Sequence, residues 1–415
     1  PQNPKTPRIW KLYIFNYLNL VRKISRANMD STVITKPIKE ERYVFEVEWY
    51  DQQADIVRFY RLTFYPLNNS IEMHDKKMNR PFLKRVEYPQ VSLSDFYKGA
   101  KVTVMGRCLE VVGYGDVATE YKQSNDRQTT FAMIKPDCYQ NMGKIIDAVQ
   151  REGFVISKLK MSKFNRSSVS QFYAEHVDKP FFPNLEQFVT SDVCVGMELT
   201  AAGAIQGWRD FIGPTNTLKA KEEAPGSLRA LFGTDGTKNA VHGSDSVDSA
   251  TRELGFFFGG EAETRCMKTT AVLNNCTLCI IKPHIVRDGQ LGQVIDMILQ
   301  AGFEISAAEM FYLSRPVIEE FYSVYKGVLP EYLPVIEHIS NGPAVALEIR
   351  QENAVSSFRQ FVGPHDPEIA KYLKPDSLRA KFGHDKVKNA VHCTDMPEDG
   401  VLECEYFFNI LQAHQ

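Results

Sequence analysis

Two histidines, His242 and His392, each close a polar string that recurs 150 residues apart. The first string reads Ser227-Leu-Arg-Ala-Leu-Phe-Gly, then Lys238-Asn-Ala-Val-His242; the second reads Ser377-Leu-Arg-Ala-Lys-Phe-Gly, then Lys388-Asn-Ala-Val-His392. Around each histidine the same polar residues recur in order. Lys135 and Lys282 are 147 apart, Tyr173 and Tyr322 are 149 apart, and Arg209/Arg359, Arg229/Arg379 and Asn239/Asn389 are 150 apart. A duplicated core has no need of these polar groups, whereas a duplicated anionic site has. Arginine offers a planar bidentate fork and lysine a point charge, so three cations converge best on a polyphosphate. A neutral imidazole beside them is a nucleophile for a phosphoryl group, in a reaction that asks mainly for positioning and charge neutralisation. The chain has no G-x-x-x-x-G-K-[ST] loop and no H-R-D or D-F-G signature, which excludes P-loop and protein-kinase chemistry. A single Asn-x-x-His carries little information; matched recurrence of the whole set carries the inference.

The elements that must position these residues also repeat. In each copy a strand ends in Ile-Lys-Pro (Phe131–Pro136; Cys279–Pro283), and an amphipathic helix follows from Gly143 or Gly292. Then come a strand after Gly153 or Gly302, a helical stretch with Tyr173 or Tyr322, a strand, and a helix bearing Arg209 or Arg359. A long irregular loop is expected before each Ser-Leu-Arg. Strands alternating with amphipathic helices predict an α/β sandwich, one domain per copy. Ahead of the repeat, residues 41–118 alternate apolar and polar in short runs. Tyr43–Tyr50, Arg58–Tyr65, Ser70–His74 and Lys101–Met105 read as strands, with a turn at Pro66-Leu-Asn-Asn-Ser. The polar stretch Thr119–Gln128 reads as a linker, as does Gly259–Lys268.

The 415 residues and their 43% hydrophobic content suit two or three globular domains. A net charge of −2 gives no polyanion-binding signature, and no aromatic–basic platform is visible, so nucleic acid is not an expected partner. Residues 1–40 nevertheless hold eight Lys/Arg against two Asp/Glu, a local +6 that leaves about −8 for the rest. That basic arm suits a solvated tail or an acidic partner surface. Within it, Ile9–Arg22 suits an amphipathic helix better than a signal peptide, and no membrane span is expected. The eight cysteines are dilute, which fits a reducing compartment, and Cys276-Thr-Leu-Cys279 has no second ligand pair to make it a zinc or redox motif.

Phe131-Ala-Met-Ile-Lys-Pro-Asp, Lys179-Pro-Phe-Phe and Asn239-Ala-Val-His-Gly-Ser-Asp-Ser resemble the nucleoside diphosphate kinase family, and Ile281-Lys-Pro-His with Asn389-Ala-Val-His-Cys-Thr-Asp repeats the pattern. The resemblance covers residues 129–410. Glu48-Trp-Tyr-Asp, Leu62-Thr-Phe-Tyr-Pro, Ser70-Ile-Glu-Met-His-Asp and Phe82-Leu-Lys-Arg resemble the doublet-microtubule domain of ciliary proteins. Together these imply a basic extension (1–40), a mostly-β, PH-like doublet-microtubule domain with linker (41–128), kinase domain A (129–259), a linker (260–276) and kinase domain B (277–415). Each kinase domain is expected to be ferredoxin-like (βαββαβ, antiparallel sheet). The resemblance implies ping-pong γ-phosphoryl transfer through phospho-His242. It assigns Lys135, Arg209, Thr215 and Arg229 to the phosphates with Tyr173 beside them, Asn239 to the ribose and Phe181 to the base. It assigns Ser244 and Glu253 to orienting the histidine. Mg²⁺ carried by ATP or another triphosphate is the implied cofactor, with no protein metal motif expected. The implied partners are nucleoside di- and triphosphates, tubulin and other proteins of the axonemal doublet, and the γ-tubulin ring complex. The implied locations are cytoplasm, cytoskeleton, cilium or flagellum, centrosome and spindle.

The second copy keeps Lys282, Tyr322, Arg359, Arg379, Asn389, His392 and Glu403 but departs at three places. Gly327-Val-Leu-Pro replaces the stretch with the stacking aromatic, His365 replaces the clamp threonine, and Cys393-Thr394 replaces Gly-Ser after the histidine. Losing a stacking aromatic costs about 1–3 kcal/mol in single-strand binders, so domain B is expected to be weak or silent. In both copies 33 residues separate the helix arginine from the histidine, longer than is usual in the family. With the copies tethered, this predicts a monomeric pseudo-dimer rather than a hexamer.

Overall fold

The alternating runs of the first block become strands because one face of each can be buried while the other stays wet. A computed structural model describes residues 40–51, 54–124, 128–259 and 269–412. The basic arm with its Ile9–Arg22 segment, and the linker at 260–268, lie outside the described residues. The first block is a six-stranded antiparallel sheet in the order β4-β3-β2-β1-β6-β5. Its strands are β1 (Tyr43–Asp51), β2 (Ile56–Tyr65), β3 (Ser70–Asp75), β4 (Arg80–Glu87), β5 (Lys101–Val104) and β6 (Arg107–Tyr114). Phe45, Leu62, Phe64, Ile71, Leu109 and Val111 fill its core. β4 and β6 are absent from the sequence-based reading. β4 is an edge strand in which a bulge lets Leu83 and Val86, three residues apart, both pack against the core, so no alternation marks it.

The stretch Thr119–Gln128, expected as a linker, is not one along its whole length. Val117–Ser124 is a helix, and the buried Thr119 hydroxyl accepts a hydrogen bond from the β1 amide of Val44 at 2.9 Å. The buried hydroxyl has the partner that burial requires. Only residues 125–127 beyond it lie outside the described residues.

Each repeat forms four antiparallel strands. The first uses β7 (Gln128–Ile134), β8 (Val155–Ser162), β9 (Cys194–Ala201) and β10 (Val241–Gly243); the second uses β11 (Cys276–Ile281), β12 (Glu304–Tyr312), β13 (Pro343–Arg350) and β14 (Val391–Cys393). Within a copy the two central strands are its first and third, as a ferredoxin-like βαββαβ fold requires. The copies share one eight-stranded sheet, β10-β7-β9-β8-β12-β13-β11-β14. β8 meets β12 antiparallel at Lys160 and Glu309, whose charges lie 3.7 Å apart. Behind that seam the helices Met142–Arg151 and Leu291–Gln300 cross. Their apolar stripes (Ile145, Ile146, Val149; Val294, Ile295, Ile298) merge into one core spanning both copies. The two copies therefore form a pseudo-dimer inside one chain.

One expectation about the repeats changes. The loops before Ser-Leu-Arg are not irregular throughout: Asn216 caps a helix Thr217–Glu223, and Asp366 caps a helix Pro367–Leu373. Each helix has only seven residues, too short for a periodic pattern to register. The C-x-x-C pair is split by the strand's pleat. Cys279 faces the shared core with the helices and Cys276 faces the opposite cluster. Cys276 instead approaches Cys404 and Glu348, but that carboxylate already accepts bonds from Val272 N, Leu273 N and Ser306 Oγ.

Candidate active site

The first cleft opens at the end of β10, a three-residue edge strand paired with β7 that puts His242 opposite Met133. The chain enters β10 through Ala240, which holds φ +66°, a conformation that a β-carbon disfavours. Three bonds hold it there. The Ala240 carbonyl accepts from Lys135 N at 2.8 Å, the Ala240 amide donates to Asp137 Oδ2 at 3.1 Å, and Trp208 Nε1 donates to the His242 carbonyl at 3.1 Å. Asp137 and Trp208 thus position the histidine. Asp137 stood within the Lys-Pro-Asp motif, but nothing in the sequence showed which backbone group it would hold.

His242 itself is fixed from one side. Its Nε2 lies 3.0 Å from Glu253 Oε2, and Ser244 Oγ donates to the same oxygen at 2.6 Å. A carboxylate at Nε2 selects the tautomer with its proton there and leaves the Nδ1 lone pair available. The rings of Phe131, Phe172 and Tyr173 surround the imidazole at centroid distances of 6.2, 5.5 and 5.8 Å.

A cleft of about 800 Å³ adjoins it, lined by Lys135, Tyr173, Phe181, Arg209, Thr215, Arg229, Asn239 and His242. All eight residues expected to catalyse or bind nucleotide meet there. Lys135 is buried, and its Nζ donates to Asn239 Oδ1 at 2.7 Å; burial and the neighbouring Arg229 lower its pKa to about 8. Arg229 donates to the carbonyls of Gly213 (2.7 Å) and Val241 (3.2 Å), with Thr215 Oγ1 3.5 Å away. Burial, with Arg209 nearby, lowers its pKa to about 10. Asn239 Nδ2 donates to Thr215 O at 2.9 Å, so lysine, asparagine and clamp loop form one network. Two buried polar atoms here lack a partner: Arg229 Nε and the Tyr173 hydroxyl. Buried donors without partners are costly, which marks places a ligand would satisfy. Phe181 lines the cleft and is half-exposed.

The second cleft, about 450 Å³, gathers Lys282, Tyr322, Arg359, Arg379, Asn389 and His392. His392 Nε2 lies 3.1 Å from Glu403 Oε2, and Thr394 Oγ1 donates to that oxygen at 2.8 Å. Thr394 is thus no loss: its hydroxyl makes the bond that Ser244 makes. Lys282 donates to Asn389 Oδ1 at 2.6 Å and, through burial and Arg379, its pKa falls to about 7. His365 keeps the backbone part of the clamp, its carbonyl accepting from Asn389 Nδ2 at 3.0 Å. Its imidazole lines the cleft where a small hydroxyl stood, with a pKa lowered to about 4 by burial and Arg379. Leu329 lines the wall, and Glu331 takes the position before the helix Tyr332–Ile339 that Phe181 takes before Phe182–Val189, so no counterpart of the Phe181 ring stands there. His284, in the place of Asp137, turns its Nδ1 to His338 Nε2 at 2.9 Å.

A family model described as "Nucleoside diphosphate kinase" matches residues 128–262 and 275–412. The chain is 47% identical over 376 residues to a protein named "Nucleoside diphosphate kinase homolog 7" from Rattus norvegicus, covering 90% of this chain and 94% of that protein. Its Mus musculus counterpart of the same name is 46% identical over the same share. A solved nucleoside diphosphate kinase from Aquifex aeolicus is 42% identical and covers 32% of this chain and 96% of its own, with a TM-score of 0.32.

Proposed function

We propose that this chain, which belongs to the nucleoside diphosphate kinase family, transfers the γ-phosphoryl group of a nucleoside triphosphate to a nucleoside diphosphate through a phosphohistidine at His242. The observation that carries this is the tethering of Nε2 to Glu253 beside a cleft lined by Lys135, Arg209 and Arg229. The Nδ1 lone pair attacks the γ-phosphorus in line; an N–P bond forms, the bond to the β,γ-bridging oxygen breaks, and the diphosphate leaves with that electron pair. Glu253 stabilises the positive charge that grows on the ring. Lys135, Arg209 and Arg229 neutralise charge on the equatorial and leaving oxygens. Tyr173 and Arg229 Nε supply the donors that lack partners in the ligand-free fold. The second half-reaction reverses these steps with an acceptor diphosphate.

Mg²⁺ carried by the nucleotide would supply further charge neutralisation. Among the cleft carboxylates, Glu253 is committed to His242, Glu175 to Arg252 and Asp210 to Gln206. Asp245, which accepts from the hydroxyls of Ser249 and Ser246, is the remaining cleft carboxylate and would be the protein group to help hold the ion, with the nucleotide as the main ligand. The proposal is tested with His242→Phe: acid-labile labelling of the chain by γ-labelled ATP should vanish, and persistent labelling would sink it. The second copy, lacking the base platform, is proposed to be weak or silent in this reaction.

A cytoskeletal site of action is the second part of the reading. Its support is the +6 arm at residues 1–40, the β-rich module resembling a doublet-microtubule domain with a PH-like fold, and a second kinase copy that has lost nucleotide features. The chain would then serve tubulin lattices of cilia and axonemes, or γ-tubulin assemblies at centrosome and spindle, in part as a structural component. Cosedimentation with microtubules should require residues 1–40 and weaken with salt; cosedimentation unaffected by removing them would count against the arm.

A further inference from the structure

Asp395 follows His392 by three residues, as Asp245 follows His242, yet the two carboxylates face different partners. Asp395 is drawn across the mouth of the second cleft. Its Oδ1 lies 3.3 Å from Arg359 Nη2, and its backbone carbonyl accepts from Arg359 Nη1. The other carboxylate oxygen accepts from the Tyr325 hydroxyl at 2.8 Å. In the first copy the place of Tyr325, three residues after the cleft tyrosine, belongs to His176. There Asp245 turns to the hydroxyls of Ser249 and Ser246 instead. Arg209 acts on that carboxylate only as a nearby charge, with no contact like the 3.3 Å one between Arg359 and Asp395.

We propose that Tyr325 and Asp395 decide what the second site accepts. Asp395 occupies the Arg359 fork as an internal anion and Tyr325 holds it there, so the site refuses a triphosphate chain. This rests on reading Arg209 as a phosphate clamp in the first copy. A guanidinium fork serves one bidentate anion at a time. A half-exposed Asp–Arg pair alone would yield readily to a polyphosphate. The charge-assisted bond from a phenol on the cleft wall is what makes the carboxylate a lasting occupant. The interior of the site stays assembled: His392 on Glu403, Lys282 on Asn389, and an Arg379 Nε that is buried without a partner, as its counterpart is. The block therefore lies at the mouth, and it is separate from the missing base platform.

Inorganic tripolyphosphate distinguishes the two, because it has phosphates and no base. Calorimetric titration of the full chain should show one site per chain for the unaltered protein and two for Asp395→Ala. Tyr325→Phe, which removes only a hydroxyl, should strengthen the second site about tenfold, the equivalent of one charge-assisted hydrogen bond. Adding Arg359→Ala to Asp395→Ala should return the count to one. Two equal sites in the unaltered chain, or no gained site in either variant, would overturn the proposal. If the unaltered chain binds none and Asp395→Ala binds one, the first-copy reading fails while this one stands. If neither binds any, both fail.

Discussion

Gly292 of the second copy stands so close to Asp147 of the first that a β-carbon there would lie 2.0 Å from the Asp147 amide nitrogen. The relation is reciprocal: a β-carbon on Gly143 would lie 2.3 Å from the Asp296 amide nitrogen. Isologous contacts of this kind belong to two-fold dimers. Here they lie within one chain, so the crossing of the two helices sets the spacing of both copies.

That contact yields the first prediction. Gly292→Ala should destabilise the kinase unit by about 1–3 kcal/mol, since the obstructing atoms are helix backbone and cannot rotate away. Gly143→Ala should cost a similar amount. Because both alter one crossing, the double variant should cost less than the sum. Denaturant unfolding measures all three, and strict additivity would mean that the two contacts do not share a helix separation.

Glu253→Gln should lower kcat/KM for phosphoryl transfer by about 10–100-fold, the usual consequence of losing a carboxylate that orients a functional imidazole. Ser244→Ala should cost less, because Glu253 keeps its own contact with Nε2. Ser244→Thr should be close to neutral, since Thr394 makes the corresponding bond in the second copy. Steady-state kinetics across the three variants would show the order; a severe Ser244→Thr defect would contradict it.

Lys135 carries a pKa lowered to about 8 by burial and by Arg229. Its charge is present below that pH and lost above it, so triphosphate affinity should fall as pH rises through about 8. Binding above pH 8 should take up a proton, because the phosphate restores the charge. For the ligand-free fold this group acts with the opposite sign. Between about 8 and 10.5 the unfolded chain holds a proton the folded chain lacks, so its contribution to stability rises with pH. Calorimetry in buffers of differing ionisation enthalpy measures the uptake, and Lys135→Met should abolish it.

Phe181→Ala should weaken nucleotide binding roughly tenfold, in line with about 1–3 kcal/mol for one stacked base. Tripolyphosphate binding should be unaffected. The side chain is half-exposed, so the melting temperature should hardly move. An equal loss for nucleotide and tripolyphosphate would show that Phe181 shapes the cleft rather than receiving the base.

Much of the first site was legible in advance because its residues sit at fixed offsets on repeated elements: Lys135 at a strand end, Tyr173 after a helix, Arg209 in a helix, and Arg229 to His242 in one string. Period and offset are carried by the chain itself. The positioning partners were less legible. Asp137 reaches the Ala240 amide and Trp208 the His242 carbonyl over 103 and 34 residues. A left-handed alanine leaves no mark in composition. β4, bulged between Leu83 and Val86, gave no alternation to read, and Thr119 showed no sign of bonding the first sheet.

By itself the sequence determined that there are two copies, that each holds a lysine, two arginines, a tyrosine, an asparagine and a histidine in one order, and that only the first has Phe181 where the second reads Gly327-Val-Leu-Pro. Tertiary structure alone decided which arginine is held by a neighbouring carboxylate. Arg209 and Arg359 occupy equivalent helices, but Asp395 and Tyr325, 36 residues from Arg359 and 70 residues from Asp395 respectively, close on the second. Charge neutralisation depends on separations of 3–4 Å through space, and no offset along a chain specifies those.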